Sequence, residues 1–181
     1  MKFCSSCGHA VEHRIPEGDH QPRAVCPVCS AVHYINPKMV VGCIPETPDG
    51  RILMCKRDIL PRIGKWTVPA GYLEMGETTA EGAARETIEE SQALVTMGRL
   101  VAVMDIPRVD QVYLIYHGTL AADAHFGPTP ESSEVCLMRE EDIPWSEIAF
   151  RTIEIALRAF FEDRRLGISR VHHEVVRLPA R

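Results

Sequence analysis

The amino-acid sequence predicts an α+β chain: an α-β-α sandwich with a mixed β-sheet between helices, preceded by a small cysteine-rich module. Residues 1–35 hold four of the seven cysteines and little apolar periodicity, whereas strand-like and helix-like segments follow one another from Met39 onward. The turn signal Asn36-Pro37 lies between the two regions. We therefore expect two domains, residues 1–35 and residues 36–181.

Five segments have the composition of β-strands. Residues 39–44 predict a buried strand, and residues 51–57 predict its hairpin partner across the turn Pro48-Asp49-Gly50. The other strand-like segments are 94–106, 110–120 and 135–138. Helical periodicity covers residues 78–91 and 146–165, and Gly167 predicts the end of the second helix. After Ile168 the sequence leaves open whether a late strand follows.

Composition and charge exclude several classes of protein. The 181 residues are 45% hydrophobic and 25% charged, as in ordinary globular domains. There is no run of about 18 apolar residues, so we expect no membrane span. A net charge of −5 with dispersed Lys and Arg disfavours a nucleic-acid partner. The odd number of cysteines and the lack of a secretory signal favour a reducing compartment, so we expect a cytoplasmic protein.

The N-terminal cysteines have the spacing of a zinc site. Cys4-x2-Cys7 and Cys26-x2-Cys29 are separated by 18 residues, which is typical of a four-thiolate structural zinc ribbon. So few apolar residues could not otherwise offset the chain entropy of folding. The alternative is a redox dithiol or a pair of disulfides. His9 and His13 are expected on the surface.

The segment 78–91 predicts a helix with an acidic face. Thr78 and Glu81 form a capping-box signal at its start. At 100° per residue, Glu86, Glu89 and Glu90 share one stripe about 100° wide. Like charges at this spacing repel, and hard divalent cations would neutralise them. The alternative is a solvated acidic face.

The same angular count predicts how this helix packs. Gly82 falls inside the acidic stripe and leaves room for a ligand to approach the carboxylates. The residues expected against the sheet are Ala80, Ala84, Thr87, Ile88 and Ser91.

Two residues upstream make the pattern specific. With Gly71 and Glu77, the stretch through Arg85, Glu86, Glu89 and Glu90 fits Gly-x5-Glu-x7-Arg-Glu-U-x-Glu-Glu, and it is identified as the box of the Nudix hydrolases. Thr87 replaces the usual apolar residue and Gln92 the usual glycine, which puts in question how the helix ends.

The resemblance implies a metal-dependent hydrolase that cleaves a nucleoside diphosphate linked to another moiety, using Mg²⁺ or Mn²⁺. It implies that Glu86 and Glu90, then Glu89, bind the metal together with the backbone carbonyl of Ala70. It also implies that Glu77 and Arg85 orient these groups. A further carboxylate from outside the helix commonly completes such sites. Glu131 and Glu134 are the candidates, and Glu134 is preferred.

The ribbon and the box together resemble the zinc-ribbon branch of the superfamily, which includes NADH pyrophosphatases. The Ser-Gln-Pro-Trp-Pro-Phe-Pro stretch of NADH pyrophosphatases is missing, and residues 104–107 stand in its region. The segments 36–43 and 69–74 look closest to a group acting on FAD and ADP-ribose. A homodimer is implied by resemblance alone. The alternatives are a nucleotide-sensing regulator without catalysis and an enzyme acting on the NAD cap of RNA.

Substrate contacts are the least determined part of the site. Gly71, Tyr72 and Arg57 are the candidates, and Lys56, Arg62 and Lys65 form a weaker set of phosphate contacts. Trp66 is expected to be a structural wedge beside the box. The aromatic residues considered for stacking a base are Tyr34, Tyr72, Tyr113, Tyr116 and Phe126.

Overall fold

A computed structural model describes residues 1–177, and the chain divides into two compact units, Met1–Pro37 and Lys38–Arg181. The strands of the first unit are β1 (Glu12–Arg14), β2 (Arg23–Val25) and β3 (Val32–His33). They form an antiparallel sheet in the order β1-β2-β3. Its buried apolar residues are few, namely Cys4, Ala24, Val25 and Cys26.

The larger unit is built on a mixed sheet, as predicted. Its strands are β4 (Lys38–Glu46), β5 (Ile52–Arg57), β6 (Trp66–Thr67), β7 (Ala70–Tyr72), β8 (Val95–Ile106), β9 (Gln111–Leu120), β10 (Ser132–Met138) and β11 (His172–Val175). In the described part of the chain the strand order is β10-β5-β4-β9-β8-β11, with β6 paired to β5 and β7 paired to β4. The β4–β9 and β8–β11 pairs are parallel and the others are antiparallel.

The two helices lie close to their predicted positions. Helix α1 covers Thr79–Ser91 and helix α2 covers Arg151–Leu166. The capping box is present, because Glu81 N donates to Thr78 Oγ1 at 3.2 Å and Thr78 N donates to Glu81 Oε2 at 2.8 Å. Gly167 ends α2 in the left-handed conformation, with φ of 64°. The turn at 145–147 is a separate 3₁₀ segment rather than the start of α2.

The predicted hairpin between residues 39–44 and 51–57 is only partly formed. Strands β4 and β5 pair at Glu46 and Ile52 and then diverge. Strand β6 pairs with β5 and strand β7 pairs with β4, so they fill the gap between the two. This insertion places β6 and β7 in the sheet, and β7 lies next to α1.

Helix α2 covers the main hydrophobic core. Its buried side chains include the apolar positions that its periodicity predicts, Ile153, Ala156, Leu157, Phe160 and Phe161. Trp66 is 9% exposed and belongs to the same cluster, which fits the expected wedge. A second, smaller cluster forms around Leu53, Cys55, Ala93 and Leu120.

The end of the described chain is a strand. β11 pairs in parallel with β8, from His172 beside Ala102 to Val175 beside Asp105. The last part of the undecided tail, residues 178–181, lies outside the described residues. No helix among residues 1–177 is long and apolar enough to cross a membrane.

Candidate active site and metal-binding cluster

Helix α1 buries one residue of its acidic stripe, Glu90, and the predicted packing face is confirmed at Thr87 and Ser91 but wrong at Ile88. Ile88 is 44% exposed. The buried positions are Gly82, Ala83, Thr87, Glu90 and Ser91. The buried face is therefore rotated toward the carboxylates, and Glu90 itself is only 5% exposed.

Gly82 serves packing rather than ligand access. A Cβ built at Gly82 would lie 2.6 Å from Glu77 Oε1 and 3.0 Å from side-chain atoms of Leu73 and Val41. The space beside this glycine is therefore filled by the protein, and the room predicted there for a ligand does not exist.

Arg85 links the acidic residues of the box through hydrogen bonds. Its Nε and Nη2 atoms form a two-pronged pair with Glu77 at 3.0 and 2.8 Å, and its Nη1 atom lies 2.8 Å from both Glu86 Oε1 and Glu89 Oε2. Nη2 also donates to the carbonyl of Tyr72 at 3.0 Å. One guanidinium therefore holds three carboxylates and the β7 backbone in a fixed arrangement.

The bound guanidinium sets the charge state of Glu77. Arg85 lowers the pKa of the Glu77 carboxyl to about 2, and the backbone N–H of Glu74 acts in the same direction. Glu77 is therefore an anion at neutral pH and stays ion-paired with Arg85. This geometry agrees with the orienting role that the resemblance implies.

Glu90 has the opposite environment. Burial raises the pKa of its carboxyl to about 7, although the N–H of Ala70, which donates to Glu90 Oε2 at 3.1 Å, lowers it. The neighbouring carboxylate of Glu86 raises the pKa of Glu90 further. Burial also raises the pKa of Glu86, against the effect of Arg85. The two carboxylates carry crowded, poorly solvated charge that a cation would stabilise.

These titrations predict a pH-dependent stability in the absence of added divalent cations. Because the folded protein binds a proton at Glu90 more tightly than the unfolded chain does, the contribution of Glu90 to stability is full below about pH 4.5 and is lost as the pH rises toward 7. The loss is on the order of 3 kcal/mol. Thermal unfolding of dialysed protein at pH 5 and pH 8 measures it. Glu90→Gln should flatten this dependence, and an equal slope in both proteins would contradict the assignment.

Gly71 allows the box loop to approach α1. A Cβ at Gly71 would collide with the carboxylate of Glu86. Gly71→Ala should therefore displace Glu86 and lower kcat about 10- to 100-fold. The fold should persist, because the colliding group is the end of a flexible side chain. Steady-state kinetics with a Mg²⁺ titration test this.

Gly127→Ala is the matched control for Gly71→Ala. The nearest atom to a Cβ at Gly127 is Gln92 Nε2, at 3.7 Å. This control should leave kcat unchanged, and equal kcat values in the two variants would contradict the crowding argument.

A cleft of about 1110 Å³ lies in front of the carboxylates. Glu86, Glu89 and Glu90 line it together with Ala70, Gly71 and Arg85. The remaining walls include aromatic residues and cations, which are Tyr72, Tyr113, Phe150, Arg57, Arg62, Arg151 and Arg177. The cleft is therefore at the upper end of the usual size range for ligand pockets, and its walls are acidic, basic and aromatic.

The cleft contains Glu131 rather than Glu134. Glu131 is among its lining residues. Glu134 instead lies beside Lys56 on paired strands, with its Oε2 atom 3.4 Å from Lys56 Nζ. Glu134, the candidate that the sequence prefers, therefore lies outside the residues that line the cleft, whereas Glu131 lies among them.

The residues predicted to contact phosphate also divide between the cleft and other places. Lys56 pairs with Glu134, and Lys65 Nζ lies 2.5 Å from Glu147 Oε2. Arg57 lines the cleft, but its Nε atom donates to the carbonyl of Pro61 at 2.9 Å. Arg57 therefore supports the loop that follows β5 and also supplies positive charge to the cleft.

The aromatic candidates divide between the cleft and other places. Tyr72, which is 50% exposed, and Tyr113 line the cleft. The hydroxyl of Tyr116 pairs with Thr79 Oγ1 at 2.7 Å, and Tyr34 belongs to the N-terminal unit, where Arg23 lies over its ring. Phe126 packs against the smaller core cluster.

Sequence reasoning missed Phe150. This residue lines the cleft directly before α2, and the guanidinium of Arg57 lies 5.1 Å from its ring centre. The helical periodicity over residues 146–165 predicts that residue 150 lies in a helix interior. A helix start signal at residue 150, such as a side chain that caps the helix, would have indicated that Phe150 lies at the edge of the cleft.

Gln92 shows how α1 ends without the usual glycine. It adopts the left-handed conformation with φ of 62°, and its N–H donates to the carbonyl of Ile88. Its side-chain Nε2 donates to the carbonyl of Pro128 at 2.6 Å. This bond ties the helix end to the loop that leads to Glu131 and offsets some of the backbone strain.

The four N-terminal cysteines form one cluster. Their sulfur atoms all lie within 4.8 Å of one another, and none is in a disulfide. The sulfur–sulfur distances are 3.6 Å for Cys4–Cys29, 3.5 Å for Cys7–Cys26 and 3.5 Å for Cys7–Cys29. Four thiolates bound tetrahedrally to zinc at about 2.3 Å would lie about 3.8 Å apart. The donor set therefore fits one metal ion.

Two equivalent turns build this cluster. Gly8 N donates to the carbonyl of Cys4 at 2.9 Å, and Ser30 N donates to that of Cys26 at 3.0 Å. Gly8 and Ser30 both have positive φ angles, 74° and 61°. His33 Nε2 lies 3.3 Å from Cys4 Sγ, a contact that its spacing in the sequence did not indicate. His9 and His13 are exposed, as expected.

Comparison with known proteins agrees with both parts of the chain. Residues 2–35 match a zinc-ribbon family described as Nudix N-terminal, and residues 36–158 match the family described as NUDIX domain. The chain belongs to the Nudix family. Among solved structures, the crystal structure of a NUDIX hydrolase from Nitrosomonas europaea is 49% identical, with a TM-score of 0.92, and the match covers 97% of this chain and 99% of that chain.

Relatives with named activities are more distant from this Nudix protein. The NAD-capped RNA hydrolase NudC of Edwardsiella ictaluri is 28% identical over 175 residues, which is 96% of this chain and 63% of the relative. An ADP-ribose pyrophosphatase of Methanocaldococcus jannaschii is 35% identical over 77 residues, or 42% of this chain and 45% of the relative. This chain thus spans less than two thirds of the length of either relative.

Proposed function

We propose that this Nudix protein hydrolyses the diphosphate of a nucleoside diphosphate linked to another moiety. The observation that carries the proposal is the arrangement of Glu86, Glu89 and Glu90 along one wall of a cleft large enough for a dinucleotide, with Arg85 fixing two of these carboxylates. Their full retention distinguishes the chain from a nucleotide sensor that has lost its box carboxylates.

The same residues account for the metal requirement. Glu86, Glu89, Glu90 and the carbonyl of Ala70 would hold Mg²⁺ or Mn²⁺, and the fit rests on their hard oxygen donors and on the raised pKa values of Glu86 and Glu90. When bound, such an ion offsets phosphate charge and lowers the pKa of a water molecule. Zn²⁺ is the ion proposed for the four-cysteine cluster, with a structural role.

The protein's own groups supply positioning and proton transfer. Glu77 and Arg85 keep the carboxylates aligned, and Arg57 adds positive charge to the cleft. Glu131, which lines the cleft outside α1, is the proposed outer carboxylate that orients the attacking water or accepts its proton. Tyr72 and Gly71 lie at the same wall and remain the proposed substrate contacts.

FAD and ADP-ribose are the favoured substrates, with NADH possible. The segments 36–43 and 69–74 support the first two, and the ADP-ribose pyrophosphatase relative supports ADP-ribose. The relatives named NAD-capped RNA hydrolases support the NAD-type alternative. All these compounds share an AMP unit joined through a diphosphate, so the cleft chemistry is common to them.

A substrate panel tests the proposal. The full-length protein is incubated with Mg²⁺ or Mn²⁺ and FAD, ADP-ribose, NADH, a nucleoside triphosphate or NAD-capped RNA, and the products are separated by chromatography. AMP with FMN, or AMP with ribose 5-phosphate, is expected. Tight binding with no turnover of any substrate would instead support the sensor alternative.

Assembly and location remain proposals of their own. A homodimer, proposed from the family resemblance, is tested by light scattering after gel filtration. A cytoplasmic location is proposed from the cysteine pattern. The net charge of −5 argues against a general nucleic-acid partner, and a steep salt dependence of RNA affinity would overturn that expectation.

A further inference from the structure

The loop segment that carries Glu131 is a tight turn. Ser132 N donates to the carbonyl of Thr129 at 3.2 Å, and Thr129 N donates to that of Ser132 at 3.0 Å. Pro130 and Glu131 are therefore the two central residues of a β-turn, and proline suits the first of these positions because its φ is already fixed. Asp58 N, directly after β5, donates to the carbonyl of Glu131 at 2.8 Å. The turn at 129–132 thus gives Glu131 a defined backbone position at the cleft.

The side chain of Gln92 joins this turn to the carboxyl end of α1. Its Nε2 atom donates to the carbonyl of Pro128, directly before the turn, at 2.6 Å, and its Oε1 atom lies 3.3 Å from His125 Nε2. These partners are 36 and 33 positions further along the chain. One amide group therefore bonds the end of the helix to the segment that leads into the turn.

Thr129 makes a second link between the turn and the helix. Its Oγ1 atom donates to the carbonyl of Glu90 at 3.4 Å and accepts a hydrogen bond from Glu131 N at 3.2 Å. Glu90 and Glu131 both line the cleft. The backbone positions of these two acidic residues are therefore coupled through one hydroxyl group.

The conformation of Gln92 is unfavourable for a residue with a side chain. Its φ of 62° lies in the left-handed region, which glycine adopts without the steric cost that other residues incur. Gln92 is exposed, so packing in the core does not offset this cost. Such departures from local preference occur at functional sites, where another interaction depends on the residue. The interaction present here is the pair of bonds from the Gln92 amide to residues 125–128.

We propose that Gln92 is a positioning residue, whose amide holds the turn at 129–132 against the end of α1 and so keeps the Glu131 carboxylate at the cleft. This inference rests on the proposed function and deepens it. Helix α1 carries the metal-binding carboxylates and the turn carries the outer one, so the Gln92 bonds set the geometry between them, on which catalysis depends. Gln92 itself is not among the residues that line the cleft, so it acts through Glu131.

The variants Gln92→Met and Gln92→Gly test this role. Methionine has the length of glutamine without its donor and acceptor, and glycine also removes the backbone strain. Both variants should lower kcat about 5- to 10-fold with KM within about 2-fold of wild type, because the turn is held in place in fewer molecules. Gln92→Gly should melt at a higher temperature than Gln92→Met, so similar losses of kcat in both exclude weaker folding as the cause. Wild-type kcat in Gln92→Met would overturn the inference.

A double-mutant cycle with Glu131→Gln tests whether Gln92 acts through Glu131. In the Glu131→Gln background, Gln92→Met should change kcat by less than about 2-fold, because the group that Gln92 positions is already lost. An equal loss of kcat in both backgrounds would overturn the inference, since Gln92 would then act on another part of the site.

Amide hydrogen exchange tests the same bonds without a substrate. Exchange across residues 125–132 should be faster in Gln92→Met than in wild type, because the segment loses its bonds to α1. If the wild-type protein hydrolyses no compound of the substrate panel, the proposed function fails, and this measurement decides the positioning role alone. Faster exchange in the variant then supports it, and equal exchange overturns it. Turnover by wild type with unchanged kcat in both Gln92 variants leaves the hydrolase intact and overturns the positioning role.

Discussion

Replacing Glu90 by glutamine should lower kcat at least about 100-fold and leave the fold intact. The amide oxygen of the introduced side chain can still accept the hydrogen bond from Ala70 N that Glu90 accepts at 3.1 Å. The variant loses only the negative charge, which is buried and is the charge that a divalent ion would neutralise. Steady-state kinetics at saturating Mg²⁺, with circular dichroism to confirm folding, measure the effect.

Glu134→Gln is the matched control for this experiment. Glu134 is exposed and pairs with Lys56 outside the cleft, so its neutralisation should leave kcat near the wild-type value. Glu131→Gln should fall between the two variants, because Glu131 lines the cleft but lies outside the box. Wild-type turnover in Glu90→Gln would show that the helix has been misread. A large loss in Glu134→Gln alone would restore the original preference for that residue.

Removal of zinc should unfold the N-terminal unit. The buried apolar residues of Met1–Pro37 are few, whereas structural zinc sites contribute about 10–16 kcal/mol of apparent binding free energy. We expect one zinc ion per chain by elemental mass spectrometry. Cys26→Ala should lose this ion, and the amide NMR signals of residues 1–37 should collapse to the range of unfolded chains.

The larger unit should survive this loss. Its two apolar clusters are built from residues between Ile44 and Val176. Cys136→Ala, which lies outside the cysteine cluster, should retain full zinc content as the control. An ordered N-terminal unit with no zinc, or with disulfides between the four cysteines, would contradict the ribbon assignment and support the redox alternative.

The sequence predicts correctly those features of the fold that depend on local signals. The capping box at Thr78 and Glu81 placed the start of α1 within one residue, and Gly167 placed the end of α2. Such signals depend on hydrogen bonds between residues a few positions apart, which a sequence displays directly. The spacing of the four cysteines is also a local signal, because two short turns carry the ligands.

The failures depend on contacts between distant residues. The face of α1 was assigned from polarity, and Glu90 is a buried carboxylate that polarity alone places in solvent. The hairpin was assumed to be continuous, but β6 and β7 separate β4 from β5. A register shift between Ser132 and Glu134 disrupts the regular alternation of β10, so the count along the strand could not decide which of Glu131 and Glu134 faces the cleft.

The clamp formed by Arg85 has a consequence for charge balance. Glu77, Glu86 and Glu89 together with this one guanidinium sum to two negative charges when all three carboxylates are ionised. A single divalent ion would make these four side chains electrically neutral as a group. A monovalent ion such as sodium would leave it half compensated, so ordinary salt should be a poor substitute for magnesium in stabilising the assembled box.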